Sequence, residues 1–141
     1  LTVEVLGPLA LCTHLRDSVV FEHARGAAFQ WVAIGDGTMP VAACVQRIMT
    51  LAPEAPLHLE IITGRPPQMI PYFEDAWWRS FRKLPAPDFA RFVALVKKGR
   101  PFEGSMVIAG PGTPPPEVDA ALKLQQRLDL ERSLAAMKKI L

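Results

Sequence analysis

Two side chains that can bind a metal ion lie near the ends of two apolar segments of this chain. His14 lies at the end of the run Leu9–Leu15, and Glu60 lies within the run Leu57–Ile62. An imidazole and a carboxylate are a ligand set for a divalent ion such as manganese, cobalt or zinc. A charged glutamate inside an apolar strand also needs a metal ion, an arginine or a proton to offset its burial. The two residues therefore predict one divalent metal site, with magnesium as a further candidate ion.

Four more residues are candidates for contact with a substrate. Arg16 and Asp17 follow His14 directly, and they either form a surface ion pair or act in the site. In the site, Arg16 would face the substrate and Asp17 would orient His14. Arg65 follows the second apolar run, and its fork of N–H donors suits a phosphate or a carboxylate. Trp31, which lies in an aromatic patch, is the fourth candidate.

The remaining histidines and both cysteines are predicted to have no role in chemistry. His23 has no comparable placement, and His58 shares the face of Glu60 by strand alternation, so both are interpreted as non-ligands. Cys12 and Cys44 lack CxxC spacing and predict reduced thiols in a cytoplasmic protein.

Composition narrows the class of protein. The 141 residues are 50% hydrophobic and 21% charged, with a formal net charge of +2, which is typical of a soluble globular chain. This charge is too small to indicate an anionic partner, and no run approaches the ~18 apolar residues that cross a bilayer. We therefore predict neither a nucleic-acid nor a membrane partner. The chain opens with leucine, as if within an element, and we interpret it as the C-terminal part of a longer protein.

The order of elements predicts a parallel α/β sheet. The strand Leu9–Leu15 is followed by a loop over 17–37, a helix that begins near Thr38, and a second strand over Leu57–Ile62. Strand, helix and strand in this order favour parallel pairing. The apolar stripe of the helix consists of Val41, Val45, Ile48 and Met49.

The second half of the sequence predicts mainly helix. A short aromatic helix over 75–81 precedes a helix with Asp88 as its N-cap. A Pro/Gly linker over 110–116 then leads to an amphipathic helix over 117–141. The apolar stripe predicted for this last helix consists of Leu130, Leu134, Met137 and Leu141.

Three strings carry a resemblance to a known family. "THLRDS", "GAAFQWVAIGDG" and "LEIITGRPP" resemble the xylose isomerase-like barrel family, which includes sugar phosphate isomerases/epimerases, inosose dehydratases and ketose 3-epimerases. The resemblance covers about residues 13–67 and continues more loosely beyond them. It implies an α/β fold in which residues 1–109 form the C-terminal part of a (β/α)8 TIM barrel, about strands seven and eight. A helical extension would follow.

The resemblance also implies an activity. His14 and Glu60 match positions at which the family binds one divalent metal ion, and Glu60 becomes the candidate catalytic acid/base. The protein would be a metal-dependent sugar or sugar phosphate isomerase/epimerase that transfers a proton through a metal-stabilised enediolate. Arg65 and Arg16 would hold an anionic group of the substrate. The acidic ligands that the family draws from other strands are not in this chain, so the fragment alone is expected to be inactive and to associate with copies of itself.

Other functions share the same residues. A cyclitol dehydratase and an isomerase of a small keto acid would use the same metal ion and enediolate. A non-catalytic binding barrel would keep the fold without the full site. DNA-repair endonucleases of this fold need more histidine and acidic ligands than this chain offers.

Overall fold

Two small sheets and five α-helices make up the computed structural model, which describes residues 2–141. In chain order the elements are α1 (Thr2–Leu6), a 3₁₀ turn (Gly7–Leu9), β1 (Thr13–Leu15), β2 (Asp17–His23), β3 (Gly26–Val32), α2 (Val41–Leu51), β4 (Leu57–Leu59), β5 (Gln68–Ile70), α3 (Asp75–Trp78), α4 (Ala86–Lys98) and α5 (Pro116–Met137).

The parallel pair of strands is short. β1 and β4 pair with Thr13 opposite Leu57 and Leu15 opposite Leu59. The backbone N–H of Glu60 donates to the carbonyl of Leu15 at 3.0 Å, which carries the ladder one residue further. Both strands are shorter than their apolar runs predict, and the segment before β1 is a 3₁₀ turn instead of a strand. Leu9 in that turn is 75% exposed, so apolar content alone did not indicate burial there.

An antiparallel hairpin occupies most of the segment for which the sequence predicted a long loop. β2 and β3 pair over their full lengths, and β5 adds to the free edge of β3. Gly26 follows the two-residue turn with a φ of 135°, and a Cβ there would overlap the backbone of Ile70 and Tyr72. The loop prediction was wrong because β-branched and aromatic residues recur through both strands, and they favour a pleated sheet once a tight turn joins them.

The barrel interpretation is wrong. Within residues 2–141 the strands form one two-stranded parallel sheet and one three-stranded antiparallel sheet, and neither closes on itself. The parallel unit that the sequence indicated does exist, as β1, α2 and β4. The intervening chain, however, pairs with itself and with β5, so it builds a second sheet of opposite character.

The core of the parallel unit lies between its strands, α2 and the end of α5. Its buried residues are Leu15, Ile34, Val41, Val45 and Met137. Burial of Val41 and Val45 agrees with the stripe predicted for α2, although Met49 is exposed. Thr38 does not cap α2: the helix begins at Val41, and the Thr38 hydroxyl donates to the carbonyl of Ser18 at 3.3 Å.

The buried face of α5 differs from the predicted stripe. Leu130, Leu134 and Leu141 are exposed, whereas Asp129, Ser133 and Met137 are buried. Met137 belongs to the predicted stripe and is buried, but the rest of the buried face is rotated toward the two polar residues Asp129 and Ser133. Specific bonds explain this choice: the Ser133 hydroxyl accepts the backbone N–H of Ile34, and Arg132 forms ion pairs with Asp36 and Asp129.

An aromatic cluster forms a second packing centre beneath α3 and α4. Tyr72 lies in edge contact with Phe89 at 5.2 Å between ring centroids, and Trp77 stacks on Phe81 at 4.2 Å. The indole N–H of Trp78 donates to the carbonyl of Tyr72. These aromatic residues therefore pack the helices on one another. Asp88 lies in the first turn of α4 and forms an ion pair with Arg91, while Pro85 takes the N-cap position. Among the described helices, none has the length and apolar character required to cross a membrane.

Candidate functional site

Three polar side chains converge where the parallel pair ends. The Nδ1 atom of His14 lies 2.9 Å from Oε2 of Glu60, and Nε of Arg16 donates to the same oxygen at 2.8 Å. A second Arg16 donor, a terminal guanidinium nitrogen, also reaches Oε2, at 2.5 Å. His14 and Arg16 reach one carboxylate because alternate residues of an extended strand project to the same side. Glu60 meets them because it directly follows β4, the parallel neighbour of β1.

The charge of Glu60 is stabilised by these contacts. Hydrogen bonds from Arg16, and then from His14, hold the pKa of Glu60 below its ordinary value. The carboxylate is therefore ionised under neutral conditions, as a metal ligand must be. The His14 side chain is 62% exposed and that of Glu60 is 29% exposed, so the group is open to a ligand from solvent.

Trp31 borders this cluster. The guanidinium carbon of Arg16 lies 5.2 Å from the centroid of the Trp31 ring, within the range of a cation–π contact. Phe29 meets the same ring edge-on at 5.1 Å. The hairpin thus brings an aromatic surface to the end of the parallel pair, which the sequence alone did not place there.

His58 also lies close by, although it was interpreted as a non-ligand. It is directly opposite His14 in the register of β1 and β4, and the two rings are 6.0 Å apart. Its side chain makes no hydrogen bond to Glu60 within the described chain. The sequence did not place His58 beside His14 because the sequence does not specify the register of the two strands. The pairing of Thr13 with Leu57 sets this register, and it places the two histidines opposite each other.

Asp17 lies beside the cluster but points into the protein. It is 2% exposed, and its carboxylate accepts backbone N–H bonds from Ser18, Gly35, Gly37 and Met39. A Cβ at Gly37 would overlap this carboxylate, so the loop depends on glycine at that position. The backbone amides of Gly35 and Gly37 are therefore occupied by this internal anion. The contact of Asp17 with a substrate stays a prediction.

Arg65 is separate from the cluster. It is exposed on the loop after β4, and within residues 2–141 it forms no ion pair or side-chain hydrogen bond. The turn that carries it is fixed by Gly64, whose φ is 84° and whose carbonyl accepts the N–H of Ala109 at 2.7 Å. Its role toward an anionic group stays a prediction.

His14 and Glu60 are the two side chains at this strand end whose types can bind a divalent ion. The Nδ1 and Oε2 atoms are separated by 2.9 Å, which is the length of the hydrogen bond between them. The described residues contain no group of three or more His, Cys, Asp or Glu side chains able to hold a metal ion. A bound ion would therefore complete its coordination with water and with substrate oxygens.

Comparison with known proteins assigns no family. No family model matches the chain, and neither the curated proteins nor the solved structures contain a significant match to it. The resemblance to the sugar isomerase family therefore stays a prediction from the sequence strings, and any function must be argued from the site.

Proposed function

We propose that this protein acts on a sugar or sugar phosphate, as a metal-dependent isomerase or epimerase. The observation that supports this is the convergence of His14, Arg16 and Glu60 at an open strand end beside an aromatic ring. Such a site combines an ionised acceptor, several N–H donors and an apolar surface. Hydroxyl groups of a sugar can hydrogen-bond to the first two, and its C–H face can pack on Trp31.

The metal ion in this proposal is held by His14 and Glu60. When bound, a divalent ion supplies Lewis-acid polarisation of a carbonyl oxygen and stabilises the charge that develops there. The chain itself must supply ionised, correctly spaced ligands. Arg16 contributes by keeping Glu60 ionised, and β1 and β4 contribute by fixing the two ligand atoms at 2.9 Å.

Glu60 is also our candidate for proton transfer. Its Oε2 atom accepts the bonds from His14 and Arg16, while Oε1 accepts no hydrogen bond from any described residue. We propose that Oε1 takes a proton from the carbon beside the substrate carbonyl. Return of the proton to the neighbouring carbon, while the hydroxyl proton passes to the former carbonyl oxygen, gives isomerisation. Delivery of a proton to the opposite face of the same carbon, from a second group, gives epimerisation. Arg65, on the loop after β4, would hold a phosphate of the substrate.

A second candidate function is sugar binding without catalysis. It is favoured by the observation that the described residues supply two metal ligands and no third. A binding domain would use the same donors and the same ring but would exchange no proton with carbon. A cyclitol dehydratase remains a further member of the enzyme class, since it begins with the same proton abstraction.

We further propose that the protein acts in the cytoplasm. Cys12 and Cys44 are both free thiols in the structure, as a reducing compartment maintains them.

Deuterium exchange tests the proposal without knowledge of the product. The chain, supplied with manganese or magnesium, is incubated with a panel of ketoses, aldoses and their phosphates in D2O, and NMR follows deuterium at the carbon beside the carbonyl. The expected inactivity of the chain rested on the barrel interpretation, which the two separate sheets overturn. We therefore expect exchange, and we expect Glu60→Gln to slow it by at least about 100-fold, the usual effect of a general acid/base. Glu74→Gln is the matched control, because Glu74 is paired to Arg25 at the far turn.

The outcomes separate the two functions. Exchange that is equal in Glu60→Gln and in the unaltered chain would rule out the role of Glu60. Binding of a sugar with no exchange, at any metal loading, would support the binding function instead.

A further inference from the structure

A groove of about 830 Å³ runs along the outer face of α5. One side of the groove is the face of α5 that turns away from the buried Ser133, and the other side is the segment over 105–107. Gln125 holds that segment in place, because its side-chain amide accepts the N–H of Val107 at 2.6 Å and donates to the carbonyl of Val107 at 3.1 Å. The groove is therefore a fixed part of the fold.

An apolar stripe lines the helical side of this groove. Leu124 and Leu128 are 57% and 48% exposed, although both are large apolar side chains. Ala121 and Ala135 lie in the same groove, seven positions before and seven positions after Leu128. Seven residues make about two turns of a helix, and apolar residues at this spacing form the surface on which a second helix packs.

Opposite charges lie at the two ends of the stripe. Glu117 lies 11 positions before Leu128, and Lys139 lies 11 positions after it, in the turn that follows α5. Both residues are exposed, and within residues 2–141 neither forms an ion pair. Glu131, which continues the stripe, is by contrast already paired with Arg127 of the same helix. The stripe is thus symmetric about Leu128 in its apolar positions and complementary in its end charges.

We propose that two copies of this chain associate through α5, which packs antiparallel on its counterpart about a two-fold axis at Leu128. The axis places Ala121 of one copy against Ala135 of the second copy, where small side chains let the helices approach closely. It also places Glu117 of each copy against Lys139 of the other. The groove contains none of the residues of the candidate site, so this assembly does not depend on the proposed function.

Sedimentation velocity over a range of about 1 to 500 µM chain tests the association. We expect a dimer at the upper concentrations. Leu128→Arg places two like charges at the axis and should raise the dissociation constant at least about 100-fold, because each substitution in a two-fold interface occurs twice. Leu134→Arg is the matched control: Leu134 is a 45% exposed leucine of the same helix that lies outside the groove, and its replacement should leave the constant unchanged.

Charge reversal tests the antiparallel register. Glu117→Lys and Lys139→Glu should each raise the dissociation constant by about tenfold, because each brings like charges together at both ends of the pair. The double variant forms both ion pairs again with reversed signs and should regain the affinity of the unaltered chain. Circular dichroism of each variant checks that its helix content is retained.

The outcomes decide between this assembly and other uses of the groove. A chain that stays monomeric at the highest concentration would overturn the pairing and leave the groove to a different occupant. Equal losses in Leu128→Arg and Leu134→Arg would show that the copies associate through another surface. A double charge variant weaker than either single variant would overturn the antiparallel register.

Discussion

The chain contains two His-x-Arg sequences, and each arginine pairs with a glutamate, yet the two ends of the molecule differ in what they can bind. At the end of the parallel pair, His14 and Arg16 share Oε2 of Glu60 and leave Oε1 without a hydrogen bond from the described residues. At the turn of the hairpin, the two nitrogens of Arg25 bond to different oxygens of Glu74. Nδ1 of His23 instead accepts the backbone N–H of Arg25.

Backbone geometry explains this difference. His14 and Arg16 lie on one extended stretch, so both side chains project toward the neighbouring strand. His23 and Arg25 span a tight turn, which separates their side chains and uses the imidazole to hold the turn itself. Both oxygens of Glu74 therefore accept a hydrogen bond from Arg25. Glu60 instead accepts bonds from His14 and Arg16 at one oxygen, and its other oxygen accepts none from the described residues. The His-x-Arg motif alone therefore does not form a site. It forms one where it lies on a strand that ends beside the end of a neighbouring strand.

The largest expected effect concerns the two histidines. His14→Ala removes one of the two proposed protein ligands and should weaken metal binding by at least about 100-fold, since ligand substitution costs no less than the 10- to 100-fold typical of outer-shell changes. His23→Ala should leave metal binding unaltered. Equilibrium dialysis followed by elemental analysis measures both. Similar losses in the two variants would mean that the histidines bind metal without the geometry described here.

Next in size is the effect of Asp17 on stability. Asp17→Ala would remove the buried acceptor of four part-buried hydrogen bonds from backbone N–H groups, and we expect it to lower the free energy of unfolding by about 3 kcal/mol. Glu22→Ala, an exposed change on the same strand, should stay within about 0.5 kcal/mol of the unaltered chain. Urea titrations followed by circular dichroism would test this. Equal unfolding midpoints would show that the loop over 35–39 does not depend on Asp17.

The smallest expected effect is the acid sensitivity that both ends share. The pKa of Glu60 is lowered by Arg16 and His14, and the pKa of Glu74 is lowered by Arg25. A carboxyl whose pKa is lowered in the folded state contributes stability above its unfolded pKa near 4.5, and this contribution is lost as pH falls through the lower folded value. Glu60→Gln and Glu74→Gln should therefore each slightly flatten the fall in urea midpoint between about pH 5 and about pH 3. A large flattening in only one variant would show that the two pairs differ in stability as well as in chemistry.

Part of this arrangement could be predicted from the sequence. The pairing of two short apolar runs around a helix follows from local periodicity, and it correctly brought His14 and Glu60 together. A charged residue in an apolar run also correctly indicated a partner, which is Arg16 in the structure. These features depend on neighbours in sequence and on a simple strand rule.

Other parts depended on pairing between distant segments. The hairpin could not be recognised from the apolar pattern because its strands combine buried positions such as Val19 and Ala27 with polar ones. The third strand of its sheet, β5, also comes from beyond β4 in the sequence. The barrel was inferred from strings that describe one βα unit, and such strings do not specify how the remaining chain pairs. The buried face of α5 is fixed by Ser133, which accepts the N–H of Ile34, and by Arg132, which pairs with Asp36 and with Asp129. These bonds cannot be read from the apolar pattern.

The docking of α5 has a consequence for the order in which the molecule folds. Ile34 and Ser133 are 99 positions apart, and Met137 completes the core of the parallel unit. The two strands of the hairpin, in contrast, are adjacent in sequence and pair across a two-residue turn. Because contacts between distant residues require the closure of long loops, they form slowly. During synthesis on the ribosome β1 emerges before the hairpin, but its partner β4 emerges after it. The parallel pair beside His14 and Glu60 therefore lacks the covering end of α5 until the residues of that helix have been made.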